Sequence, residues 1–158
     1  MKIRGFEIVS KYQSEFDEGK IKLPKRGTKL SAGYDFFNNT GSEIVVAPGE
    51  ITIAIPTKVK VYMEKGVYLG IIPRSSMRKT STRIANTLGV IDADYYNNAD
   101  NEGEIFVTLH NQSDKLLRIP VGQGFVQGIF TPFLLADGDS FDVGEDRIGG
   151  FGSTTGKI

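Results

Sequence analysis

The sequence predicts a single all-β domain, a sandwich or barrel of short strands. Three observations carry this expectation. Apolar residues recur with a period of two through most of the chain, glycine and proline punctuate it at short intervals, and 158 residues suffice for one sizeable core. Glycine stands at 19 of 158 residues, above its usual share of about 7%, which suits many tight turns. No internal repeat and no linker divides the chain.

Each element follows from local pattern. Glu43 to Pro56 reads as strand, turn, strand: Pro48-Gly49 is a turn signal, and Ile51, Ile53 and Ile55 alternate with smaller residues. Lys58 to Met63 alternates again, and after a Glu-Lys-Gly turn Val67 to Ile72 forms the next strand. Glu104 to His110 is β-branched and aromatic, hence a strand. Gly124 to Phe130 and, after Pro132, Phe133 to Ala136 complete the set. Ser75 to Ala85 breaks the period. It is polar, with a Ser placed to cap it, and predicts one short helix.

Composition narrows the chemistry. Lys+Arg and Asp+Glu both number 19, so nothing suggests a broad nucleic-acid surface. The chain has no Cys and one His, which argues against thiol nucleophiles, zinc clusters and a multi-His metal site. No apolar run approaches the ~18 residues of a membrane span. The start, Met1-Lys2-Ile3-Arg4-Gly5-Phe6, is too polar for a signal peptide. The expectation is a soluble cytoplasmic protein with no membrane partner.

The stretch Gly89-Val90-Ile91-Asp92-Ala93-Asp94-Tyr95 offers proton chemistry. An apolar strand ending in a carboxylate holds a general base still, and an aromatic nearby holds a ring or sugar beside it. Asp92 and Tyr95 face opposite sides of a straight strand, so service to one ligand requires a bend between them. The alternative is an ordinary strand end, with Asp capping a turn and Tyr packing. Asn86, just upstream, carries both a donor and an acceptor, the pattern that reads an amide-like base edge.

Ile71-Ile72-Pro73-Arg74-Ser75-Ser76 runs from an apolar strand to a cation and two hydroxyls at a helix start. That suits an anion, or simply a capped helix with a surface Arg. The tail, Arg147 to Ile158, is Gly-rich with one Phe, one Arg and several hydroxyls. Backbone amides and hydroxyls suit phosphate, and Phe151 suits stacking on a base. It is not a Walker A loop, since no Ser or Thr follows Lys157 and no helix can follow. The competing reading is a disordered tail. Asp35 either touches a metal-bound water or makes a buried turn hydrogen bond. His110 reads as a packing residue, and Asn97 to Glu102 as a solvated loop.

Taken together, Ala32-Gly33-Tyr34-Asp35, Pro73-Arg74-Ser75-Ser76, Gly89 to Tyr95, Gly122-Gln123-Gly124-Phe125-Val126-Gln127 and Gly149-Gly150-Phe151-Gly152-Ser153-Thr154 resemble the motifs of homotrimeric dUTP pyrophosphatases, in the family order. The resemblance implies a jelly-roll-like distorted β-barrel over 1–145 and a flexible, Gly-rich C-terminal arm over 146–158 that closes over the site. It implies a homotrimer with sites between subunits, and hydrolysis of dUTP to dUMP and pyrophosphate, limiting dUTP and supplying dUMP for dTMP synthesis. Asp92 matches the residue that activates water, and Tyr95 the aromatic against the deoxyribose. Asn86, Gly89, Val90, Ile91 and Phe106 match the surroundings of uracil. Arg74, Ser75, Ser76 and Gln127 match phosphate-binding positions. Arg147, Gly152 and Ser153 match tail residues near the phosphates, and Phe151 the ring over uracil. Mg²⁺ is implied on the substrate phosphates, with Asp35 reaching it only through water.

The chain departs from that pattern at several points. Residues 96–102 form an acidic, Asn-rich insertion, Gly124 replaces a usual Arg and so loses its ion pair, and the tail differs in spacing around Arg147 and after Thr154. A related fold, dCTP deaminase, places a catalytic Glu where this chain has Thr108, and Thr cannot relay a proton as Glu does. A nucleotide sensor is the other rival.

Overall fold

The computed structural model describes residues 2–144, 146, 147, 149 and 150; Phe151, Gly152 and Ser153 lie outside the described residues. Strand β1 (Gly5–Ile8) leads through a 3₁₀ turn (Ser10–Tyr12) into helix α1 (Gln13–Asp17). Then come β2 (Lys25–Arg26), β3 (Tyr34–Phe37), β4 (Ile44–Val46), β5 (Ile55–Pro56), β6 (Val59–Tyr62) and β7 (Val67–Pro73). A 3₁₀ turn (Ser75–Thr80) precedes β8 (Thr82–Ile84) and β9 (Gly89–Ile91). Another (Ala93–Tyr95) precedes β10 (Phe106–Val107), β11 (Leu109–Asn111), β12 (Leu117–Ile119) and β13 (Gly124–Pro132).

All strand pairs are antiparallel. The largest sheet has the order β2-β3-β13-β7-β9, and the pairs β1-β6, β5-β10, β8-β11 and β4-β12 complete the jelly-roll-like barrel. Strands β7 and β13 run side by side from Val67↔Pro132 to Pro73↔Val126. They are the longest and most apolar, so they sit in the middle of the sheet. Phe36, Leu69, Ile71, Val126, Val59 and Leu109 pack in one core. Full burial of each contributes roughly 1.5–3 kcal/mol. At Gly128 a Cβ would lie 2.9 Å from the Phe36 ring and 3.0 Å from Leu69, so only glycine lets those two close over β13.

Several local expectations change. The strand expected through Ile51, Ile53 and Ile55 is only Ile55–Pro56, with Ile51 in an isolated bridge and Ile53 87% exposed. The helix expected over Ser75–Ala85 is a 3₁₀ turn that stops at Thr80, and Thr82–Ile84 is strand. Its N-cap position is Arg74, with no side-chain cap, and Ser81 ends it with φ of 47°. Pairing of Thr82, Arg83 and Ile84 with Asn111, His110 and Leu109 outweighs a local helix. Phe133 to Ala136 is not a strand; β13 ends at Pro132, and Leu134 is exposed. Among the described residues the one α-helix falls at Gln13–Asp17, where Tyr12 and Phe16, one helical turn apart, pack on the core. Among the described residues no helix is long and apolar enough to cross a membrane.

Candidate active site

Strand β9 is an edge of the large sheet, bonded to β7 through Gly89↔Ile71, Val90↔Gly70 and Ile91↔Leu69. Its other edge faces a cavity of about 670 Å³ lined by Asn86, Gly89, Val90, Ile91, Phe106, Val107 and Thr108, with Ile71 and Ile84 behind. The walls are mostly apolar, and the backbone of an edge strand supplies polar groups. The structure thus brings together Asn86, Gly89, Val90, Ile91 and Phe106, although Asn86 and Phe106 are 20 residues apart in sequence. The turn that presents Asn86 is tight: Thr87 has φ of 67°, and the Leu88 N–H donates to the Asn86 carbonyl at 2.7 Å.

Asp92 stands where β9 ends, at the start of the 3₁₀ turn Ala93–Tyr95. This turn provides the bend between Asp92 and Tyr95. Asp92 is half-exposed, while Tyr95 is 3% exposed. The Tyr95 hydroxyl donates to the Glu104 carbonyl (2.8 Å) and accepts from Asn101 Nδ2 (2.8 Å). Tyr95 is therefore fixed by Asn101 of the insertion and by the Glu104 carbonyl just after it.

Arg147 reaches this turn from the C-terminal segment. Its Nη2 donates to Asp92 Oδ2 and its Nε to Asp94 Oδ1, both at 2.8 Å. Its guanidinium also lies 5.9 Å from the centre of the Tyr95 ring. Partial burial raises the Asp92 carboxyl above its ordinary value of 3.8; Arg147 pulls it back down, and Asp94 pushes it up. A cleft of about 670 Å³ opens here, with Phe133, Leu135 and Phe141 on its far wall and Lys65 at its rim.

A further group lies around Arg74. Its Nε is 2.8 Å from Asp35 Oδ1, and its Nη1 donates to the Gly124 carbonyl at 2.8 Å. Gln127, opposite Asp35 in the β3-β13 register, donates to the Pro73 carbonyl at 3.1 Å. Ser75 and Ser76 follow, exposed. Gly124 has a local reason here: a Cβ would stand 2.9 Å from Arg74 Nη1. Gly124 thus leaves room for Arg74, which pairs with Asp35.

Among the described residues no three His, Cys, Asp or Glu side chains gather as a metal site. Asp35 is ion-paired with Arg74, and Asp92 and Asp94 with Arg147. The side chains present do not fit a protein-held Mg²⁺ cage.

Some participants escaped the sequence reading. Asp94 lies in the motif without an assigned role; its place two positions after Asp92, in the first turn of the 3₁₀ segment, is the signal for a shared cation. The stretch Asn97–Glu102 is a loop with Asn97, Ala99 and Asp100 exposed, but it is anchored at several points. Asn98 is 8% exposed, Lys60 donates to Asn97 Oδ1 at 2.8 Å, and Lys60 also pairs with Glu102.

A dUTPase family model matches residues 19–155. The deoxyuridine 5′-triphosphate nucleotidohydrolase of Lactococcus lactis is 49% identical over 155 residues, covering 98% of this chain and 99% of that protein. The crystal structure of dUTPase from Streptococcus mutans superposes with a TM-score of 0.71 at 42% identity, covering 85% of this chain and 99% of that one. The dUTPase from phage phi11 of S. aureus shares the fold, with a TM-score of 0.66 at 18% identity over 92% of this chain and all of that one.

Proposed function

The chain belongs to the dUTPase family, and on that premise we propose that it hydrolyses dUTP to dUMP and pyrophosphate, with Asp92 activating the water. The observation that carries the reading is the junction at Ile91–Asp92. Ile91 lines an apolar cavity suited to a pyrimidine, and the next residue is a carboxylate of raised pKa in an open cleft.

Uracil enters the cavity, where the free edge of β9 and the side chain of Asn86 meet its polar edge, and Phe106 closes the side. Thr108 in the cavity wall carries no carboxylate for chemistry at the ring itself, whereas Asp92 lies beyond the strand end, where a triphosphate emerges. Tyr95, held rigid by Asn101 and the Glu104 carbonyl, walls the deoxyribose and leaves no room for a 2′-hydroxyl. Arg74, Ser75, Ser76 and Gln127 take the phosphates. Arg147 moves from the two carboxylates to the terminal phosphate, which frees Asp92 to accept a proton from water.

The substrate is the magnesium complex of dUTP, its ion held by phosphate oxygens and water, with Asp35 reaching it through water. The body spans 1–145 and the arm 146–158, in which Phe151 covers uracil and Gly152 and Ser153 bind phosphate. A homotrimer completes the sites; in its support, the antiparallel β7–β9 register puts Arg74 and Asp92 beyond opposite ends of the paired strands, apart within one chain. The enzyme works in the cytoplasm, limiting dUTP and supplying dUMP for dTMP synthesis. Pyrophosphate release from dUTP, beside dCTP, dTTP and UTP, tests this. Release from dUTP alone is expected; equal release from UTP or dCTP overturns it.

A further inference from the structure

Charge balances over the whole chain, yet residues 20–29 carry Lys20, Lys22, Lys25, Arg26 and Lys29 and no acid. Lys20 pairs with Glu18. Among the described residues the other four form no ion pair, and all four are exposed.

The sheet fixes where these cations stand. Lys25 and Arg26 form β2, an edge of the large sheet, in register with Asp35 and Tyr34 of β3. Asp35 faces Gln127 of β13, so Lys25, Asp35 and Gln127 make one row on one face of the sheet. That face is the outer one, because the neighbouring pair, Phe36 and Val126, is buried in the core. Phe37, two residues after Asp35, lies on the same outer face. The ammonium groups of Lys22 and Lys25 stand 5.5 and 6.0 Å from its ring centre. Lys22 Nζ also donates to the Gly122 carbonyl at 3.1 Å, and Arg26 Nη1 to the Lys29 carbonyl at 2.7 Å. The Thr28 N–H donates to Ser31 Oγ, whose hydroxyl donates back to the Thr28 carbonyl, both at 2.9 Å, and this closes the turn. Asp35 is the acid of the row, and it is already paired with Arg74 at 2.8 Å.

We infer that Lys22, Lys25, Arg26 and Lys29 form an entry strip that draws the triphosphate of the substrate toward Arg74 and Gln127. The inference rests on the dUTPase reading, which makes the substrate a polyanion and Arg74 and Gln127 its phosphate ligands. Cations grouped on one side of a binding group raise the local concentration of an anion and its rate of encounter. Lys carries a strongly hydrated charge on a flexible stem, and exposed charges at the rim of a site act on approach more than on the bound state. The Phe37 ring attracts both ammonium groups, so two like charges share one place without a carboxylate between them. Strand β2 is two residues long, and the turn after it closes at Ser31, so the strip matches one short phosphate chain rather than a polymer.

The test measures association and dissociation rate constants of a non-hydrolysable dUTP analogue by stopped flow at rising NaCl, beside hydrolysis of dUTP. The neutral double variant, Lys25→Gln with Lys29→Gln, removes two exposed cations and leaves the Arg26 turn bond, which uses the Lys29 backbone. Lys25→Arg with Lys29→Arg keeps the charge. Lys115→Gln removes a cation from the turn between β11 and β12, outside the large sheet. At low salt the neutral double variant associates about fivefold more slowly, and its dissociation stays within about twofold of native. The difference closes at high salt, where separated charges are screened. The arginine double variant keeps the native rate and salt slope, and Lys115→Gln loses less than about twofold. An unchanged association rate in the neutral double variant overturns the strip, as does an equal loss in Lys115→Gln. A loss carried by faster dissociation also overturns it, since these lysines would then be direct phosphate ligands. A native protein that neither binds the analogue nor hydrolyses dUTP rejects the reading on which the strip rests, whereas native turnover with an unaltered neutral double variant rejects the strip alone.

Discussion

Arg147 Nη2 donates to Asp92 Oδ2 at 2.8 Å, so the residue assigned to substrate charge holds the residue assigned to the water. The same guanidinium spans to Asp94, and its side chain is only 12% exposed. A fork across two carboxylates is a strong but exchangeable arrangement, and phosphate oxygens compete for the same donors. In this arrangement the Asp92 carboxylate is ion-paired and its charge balanced.

This pairing predicts the pH dependence of kcat/KM. A general base works only when deprotonated, so activity is lost as pH falls through the Asp92 pKa, which burial raises above the ordinary 3.8. Asp94 raises that value further, and Arg147 lowers it. Asp94→Asn therefore moves the acid limb of the profile to lower pH, and Arg147→Met moves it to higher pH. Shifts in the opposite directions would show that another group sets the limb.

Gly124→Ala probes the phosphate side. The new Cβ meets Arg74 Nη1 at 2.9 Å and displaces it from the Gly124 carbonyl. KM for dUTP rises roughly tenfold, the loss expected when one charge-assisted hydrogen bond is disturbed. Steady-state kinetics give the answer, and an unchanged KM would remove Arg74 from the phosphate-binding set.

Glu104 provides a stability test. Its side chain is fully buried, Lys11 Nζ stands 2.8 Å from Oε2, and Oε1 has no hydrogen-bond partner among the described residues. Removing the cation with Lys11→Met leaves a buried charge, at a cost of about 1–3 kcal/mol once the exposure of Lys11 is allowed for. The pair raises the Lys11 pKa above 10.5, so its contribution is complete at neutral pH and disappears as pH rises through that raised value. Denaturant midpoints for the native and Lys11→Met proteins, at pH 7 and above 10.5, measure this. An equal gap at both pH values would contradict the assignment.

The parts of the fold that were legible in the sequence are those set by local pattern. Val67–Pro73 and Gly124–Pro132 are apolar runs bounded by turns, and they became the central strands. Asp92 at the end of an apolar strand was legible for the same reason. Thr82–Ile84 was not, because its strand character comes from Leu109–Asn111, far along the chain. Helix α1 is five residues long, too short for its period to show. The bond between Arg147 and Asp92 spans 55 residues, and the insertion's contacts with Lys60 and Ser10 span 42 and 92. Such contacts follow from tertiary geometry and leave no local trace.

The most direct measurement is single-turnover hydrolysis of dUTP by Asp92→Asn, beside equilibrium binding of a non-hydrolysable dUTP analogue. Asn keeps the shape of Asp and loses its basicity, so binding persists within a few-fold while turnover falls by about 10²–10⁴. Turnover near the native rate with intact binding would contradict Asp92 as the base.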